Sequence, residues 1–154
     1  MARERITTTA DQIYGEIFIA DNATGQSIPS GATYTKITQV GTIGINKGIT
    51  MSGSNSNATI VKAGKYKIEA TASTKADIAN VVLRTSVFVN NTRRANISSV
   101  RRIANANDNS TISIGGLLSL NAGDIVDIRV VHDNPSSVTI TCENANINLI
   151  YIGD

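Results

Sequence analysis

Few side chains in this 154-residue chain can do chemistry, and those few stand apart. His132 is the only histidine and Cys142 the only cysteine. One chain therefore cannot assemble a zinc cluster without carboxylates, cannot close an internal disulfide, and shows no Cys-His dyad by spacing. Asp124, Asp127, His132 and Asp133 could meet at sheet ends and hold a cation. We read them instead as turn-forming aspartates beside an exposed histidine, and expect no metal. Cys142 alternates with Val138 and Ile140, the pattern of a small core residue rather than a nucleophile. There is no G-x-S-x-G, P-loop or G-x-G-x-x-G, and Gly41-Thr42-Ile43-Gly44 lacks the Lys-Ser/Thr that would cradle a phosphate. The chain is expected to be no enzyme, with no cofactor and no small-molecule substrate.

One charge feature rises above the background. Arg93-Arg94 and Arg101-Arg102 are separated by Ala95 to Val100, with no Asp or Glu between Asp77 and Asp108. If the two segments pair across a turn near Ile97 and Ser98, four guanidinium groups lie close together. Such a patch would attract an acidic surface, a glycan or a nucleic-acid backbone in a salt-dependent way. The alternative is a solvated loop whose charges are screened within roughly 8–10 Å. Arg3 and Arg5 are further docking candidates. The formal net charge of +2 is too small to imply a nucleic-acid partner, and none is expected.

The elements that must carry these residues are strands. Ile (22), Thr (17) and Val (11) are β-branched and suit a pleated surface, whereas the chain has five Leu and no Trp. Residues 1 to 12 carry both charge signs, three consecutive Thr and no periodicity, which predicts a flexible arm. Residues 13 to 154 fit one domain, at roughly 100–200 residues per domain. Gly15 to Ala20 reads as a first strand, and Ser27 to Ser56 as short strands broken by glycines. Lys65 to Ala72 and Val81 to Asn90 alternate with period two, and Asn90-Asn91 supplies a turn. Ile112 to Leu120 and Val126 to Val130, joined through Asn121-Ala122-Gly123, predict two long antiparallel strands. Val138 to Cys142, a bulge near Glu143 to Asn146, and Ile147 to Ile152 complete the sheet. Many short strands with frequent turns mean a sandwich or barrel. No apolar run approaches a membrane span, and the first residues lack the apolar core of a signal peptide. Synthesis in the cytosol without secretion is expected, with no membrane partner.

Four stretches then resemble a known fold. Ala63-Gly64-Lys65-Tyr66-Lys67-Ile68-Glu69, the strand ending Val87-Phe88-Val89-Asn90-Asn91, Leu118-Ser119-Leu120-Asn121-Ala122-Gly123-Asp124-Ile125-Val126 and the closing Ile147 to Ile152 are similar, in order and spacing, to the jelly roll of the tumour necrosis factors and the globular heads of complement. Gly15-Glu16-Ile17-Phe18-Ile19-Ala20-Asp21-Asn22-Ala23-Thr24 further resembles small virion proteins of tailed bacteriophages that use this fold. The resemblance implies an all-β antiparallel jelly-roll sandwich, a homotrimer, and a virion protein that decorates or cements the capsid, docked on the major capsid protein or another virion protein. Its rival is the receptor- or glycan-binding head of a fibre or tail. By matching strands, Tyr66, Leu118 and Tyr151 are candidates for the trimer core, each with the chain's own sandwich as the alternative place.

Overall fold

The computed structural model describes residues 12–154, and over these the chain is strand and turn without helix. The strands are β1 (Tyr14–Ile19), β2 (Gln26–Ile28), β3 (Thr35–Lys36), β4 (Thr42–Lys47), β5 (Ile49–Ser52), β6 (Asn57–Ile60), β7 (Gly64–Ala76), β8 (Val81–Val89), β9 (Thr92–Ile103), β10 (Ser110–Leu120), β11 (Ile125–His132) and β12 (Val138–Gly153). They form two antiparallel sheets. Sheet A runs β10-β7-β12-β1-β4 with β2 also on β12, and sheet B runs β5-β6-β11-β8-β9 with β3 also on β11. The expected arm, with Arg3 and Arg5, lies outside the described residues save Gln12.

Alternation writes the core directly. On β7, Tyr66, Ile68 and Ala70 turn inward, and on β12 Ile140, Cys142, Ile147 and Leu149 do the same. From sheet B, Leu83, Val87, Val126, Ile128 and Val130 meet them. Branched side chains from two pleated faces interdigitate here, which removes apolar surface from water without long, flexible chains.

Turn chemistry is equally local. Asn90 and Asn91 both have positive φ (49° and 65°), the pair a type I′ hairpin between β8 and β9 requires and Asn tolerates. At the Leu120 to Ile125 corner, Gly123 has φ 89°, and Asp124 accepts a hydrogen bond from the Asn121 N–H at 2.8 Å. The bulge expected near Glu143 is present: the register of β12 against β7 shifts between Cys142 and Asn144.

Two expectations are corrected. β10 and β11 do not pair, because β10 lies on β7 in sheet A and β11 between β6 and β8 in sheet B. The Asn121 to Gly123 turn is a corner between sheets rather than a hairpin. Nor is there a turn near Ile97 and Ser98. β9 runs through as one edge strand, and a bulge leaves Ala95 to Ile97 without partners on β8. Ile97 is fully buried against Gly116 of β10, where an added Cβ would stand 2.7 Å from its Cγ1. The bulge thus drives an apolar side chain into the open edge of the sandwich, and the missing side chain at Gly116 makes its space.

Candidate functional site

With the core accounted for, the two outer faces of the sandwich remain, and they differ. On sheet A, register aligns Tyr14 of β1, Ile150 of β12, Lys67 of β7 and Leu117 of β10 across four strands. Beside Tyr14, Ile45 of β4 helps to line a shallow depression of about 420 Å³ with Glu16, Asn148 and Ile150. Ile45 (73%), Leu117 (59%), Ile152 (51%) and Ile150 (43%) are the exposed part of an apolar band that no described residue covers. Next to the band is a polar ladder. The Asn146 amide donates to Glu16 Oε1 and the Asn148 amide to Asn146 Oδ1, both at 2.6 Å. In register with Asn148 on its other side, Glu69 pairs with Lys67 at 2.9 Å. Toward β10 the side chains shrink to Thr71, Ser113 and Gly115, so another flat surface can approach closely.

On sheet B the chain itself covers the outer face around Phe88 and Val131, while Val100 (55%) and Ile125 (42%) stay exposed farther out. Phe88 and Val131 point away from the core, yet are only 7% and 5% exposed. Tyr34, just before β3, packs on Phe88 with ring centres 5.2 Å apart. The Arg129 guanidinium lies 4.5 Å from the Phe88 ring centre and that of Arg93 5.1 Å from the Tyr34 ring centre. This continuous stack is attractive because a cation favours the electron-rich face of a ring. Asp127, buried, anchors it. Arg129 donates to both carboxylate oxygens at 2.7 and 3.0 Å, and Lys36 stands 3.7 Å away. The hydrogen bond to Asp127 holds the Arg129 pKa above its ordinary value, against the opposing effect of burial.

The residues singled out from sequence fall in different places. Alternation along β9 splits each arginine pair. Arg93 and Arg102 oppose the outward Phe88 and Val82, whereas Arg94 and Arg101 oppose the inward Val87 and Leu83. Arg93 Nε donates to Ser86 Oγ, Arg102 donates to Asn80 Oδ1, and Arg101 Nε reaches Ser110 Oγ of β10. Arg94 and Arg101 are also four β8 positions apart, roughly 13 Å along a strand. One four-arginine patch is therefore not formed. Tyr66 takes the inner of its two open places: it is fully buried in the chain's own core, its hydroxyl donating to the Lys62 carbonyl at 2.7 Å, and burial raises its pKa. Leu118 and Tyr151 are half-buried against the same core, and Tyr151 meets Tyr66 edge-on at 5.5 Å.

Asp124, Asp127, His132 and Asp133 do not converge. Asp124 serves its corner, Asp127 its ion pair, and Asp133 accepts the Val82 N–H. Among the described residues no three His, Cys, Asp or Glu side chains gather as a metal-binding group. The expectation of an exposed His132 is corrected. It is buried, with Nε2 3.0 Å from the Ile28 carbonyl and Nδ1 accepting the Asn134 N–H at 3.2 Å, because it shares the inward parity of Val126, Ile128 and Val130 on β11 and meets β2 there. Cys142 is buried in the core, and desolvation pushes its thiol pKa up.

Sequence reasoning missed Tyr14, Ile45, Leu117 and Ile150 on one face and Tyr34, Arg84 and Arg129 on the other. A signal for the first group was present. Leu149, Ile150, Tyr151 and Ile152 are apolar at both parities, the mark of a strand with apolar surface on both sides.

Neither a family model nor a curated protein matches the sequence. Among solved structures, the chain is similar to Eiger TNF from S. frugiperda, with a TM-score of 0.59 over 94% of each chain at 12% identity. The fold is thus an all-β jelly-roll sandwich of the tumour-necrosis-factor type.

Proposed function

We propose that this chain is a non-catalytic virion structural protein of a tailed bacteriophage, a homotrimer that decorates the capsid by docking on the major capsid protein. The observation that carries the self-association is the apolar band on sheet A formed by Tyr14, Ile45, Leu117 and Ile150, which no other described residue covers. A fully buried Leu or Ile side chain contributes about 1.5–3 kcal/mol. Several such side chains on each protomer are of the size needed to offset an association cost of roughly 4–15 kcal/mol. The polar ladder beside the band is partly paired within the chain, Asn146 donating to Glu16 and Asn148 to Asn146, so a partner that covers it has fewer hydrogen bonds to supply.

The virion assignment rests on the resemblance of the β1 region, Gly15 to Thr24, to phage structural proteins. Immunogold labelling of purified virions with an antibody to this chain tests it. Capsid decoration predicts label over the whole head at high copy number. Label confined to a few tail or fibre tips moves the protein to the distal end of the particle, and absence from virions overturns the assignment.

A further inference from the structure

The outer face of sheet B sinks, between the Ser30 to Ala32 loop and the Asp133 to Pro135 turn, into an open groove of about 630 Å³. Val131 and Pro135 give it apolar lining, and Tyr34, Arg84 and Arg93 border it. The arginines are in different states. Arg93 is held by its bond to Ser86 and by Tyr34, itself braced on Phe88. Only its Nε is engaged in that bond, so its terminal amino groups remain available. The Arg84 guanidinium, exposed on β8 where the backbone pairs with Val131 and Val100, has no hydrogen bond or ion pair among the described residues. The opposite wall is fixed too. His132 accepts the Asn134 N–H on Nδ1, which places its own proton on Nε2 toward the Ile28 carbonyl, and Asn134 Oδ1 accepts the Ser136 N–H. The Asn134 amide nitrogen is left as a donor.

Charge and shape narrow the ligand. Two guanidinium groups against the single carboxylate of Asp133, one oxygen of which already accepts the Val82 N–H, leave the groove with one net positive charge. That suits a monoanion better than a phosphate dianion or a polyanionic backbone. The Tyr34 ring is engaged by Arg93 and Phe88, so there is no free platform for a stacked base. Guanidinium forks match a carboxylate, amide and hydroxyl donors match sugar hydroxyls, and the apolar lining matches the C–H face of a pyranose. The volume is within the roughly 300–1,000 Å³ range of small-ligand sites.

We propose that this groove binds a carboxylated sugar, a uronic or sialic acid unit, through Arg84 and Arg93. The site lies on the face opposite the apolar band and does not depend on where in a virion the protein sits. The test is titration of the full chain, followed by amide NMR shifts, with glucuronate and N-acetylneuraminate. Glucose, inorganic phosphate and hexaglutamate are the comparison probes, with R84Q, R93Q and R102Q as variants. At least one acidic sugar should bind at millimolar concentration while glucose does not. R84Q and R93Q should each weaken binding about tenfold, the loss of roughly one charge-assisted contact. R102Q, on the same face outside the groove, should leave binding unchanged. Binding of neither acidic sugar overturns the proposal. So does phosphate or hexaglutamate binding as tightly as the sugar, or an R102Q loss equal to that of R84Q, since these describe an unselective basic surface. All three arginines are exposed or half-exposed at the surface, and an unchanged thermal midpoint checks that the variants fold. Failure here leaves the assembly state, which is measured separately, untouched.

Discussion

Phe88 and Ile150 are both apolar residues on outer faces of the sandwich, yet Phe88 is 7% exposed and Ile150 43%. Phe88 is covered by its own chain, through Tyr34 and Arg129. Ile150 has no such cover among the described residues. One sheet has had the part of its second face around Phe88 closed by loop and strand β3, while the other carries an apolar band next to a partly paired polar ladder. An outer face that the chain leaves apolar is where a second copy contributes most.

The largest effect separating the faces should come from Phe88→Ala, which removes a ring from a filled site and should cost roughly 3–4 kcal/mol. Ile150→Ala should cost the protomer less than about 1 kcal/mol. Chemical denaturation at concentrations low enough to suppress assembly reads both. Equal losses would mean that the two faces are covered alike.

Asp127→Ala comes next. It leaves Arg129 and Lys36 facing each other without their carboxylate, a loss of about 2–4 kcal/mol given that Arg129 keeps some contact with water. The same change should leave the oligomeric mass unaltered. A variant that unfolds no more easily would show that the arginine and aromatic stack stands without its anchor.

Smaller still is an effect of acid. The hydrogen bond from Lys75, and then that from Asn109, hold the Glu143 carboxyl below its ordinary pKa. A carboxyl lowered on folding contributes stability that is fully present above its unfolded pKa, about 4.3, and that is lost as pH falls through the folded value. Glu143→Gln should therefore remove that small contribution at neutral pH, match the native protein at low pH, and so flatten the acid limb of the stability curve. Superimposable acid limbs for the two proteins would contradict this.

What the sequence disclosed follows from the length scale of each signal. Alternation in Tyr66, Ile68 and Ala70, the Asn90-Asn91 turn and the Asp124 corner are short-range facts, and the structure has them where residue order puts them. Leu118 against Leu117 shows the limit. Parity says that neighbours face opposite ways, but which way is inward is decided by a sheet assembled from β7, β10 and β12, strands far apart in the chain. The arginine dipeptides fail as a cluster for the same reason, since alternation sends Arg93 and Arg94 to opposite sides. Tyr34 meets Arg93 and Phe88 only because β3 joins β11, a pairing of two residues on each strand too short to leave a periodic trace.

The central claim is that the open face of sheet A is closed by other copies of this chain. Multi-angle light scattering at micromolar concentration, on the native protein and on Ile150→Lys, tests it most directly. The native protein should have three times the 16.2 kDa chain mass. Ile150→Lys should shift toward the single-chain mass, its dissociation constant raised about tenfold or more by a charge buried at the contact. A native protein that is monomeric throughout, or a trimer indifferent to lysine at position 150, would contradict the account.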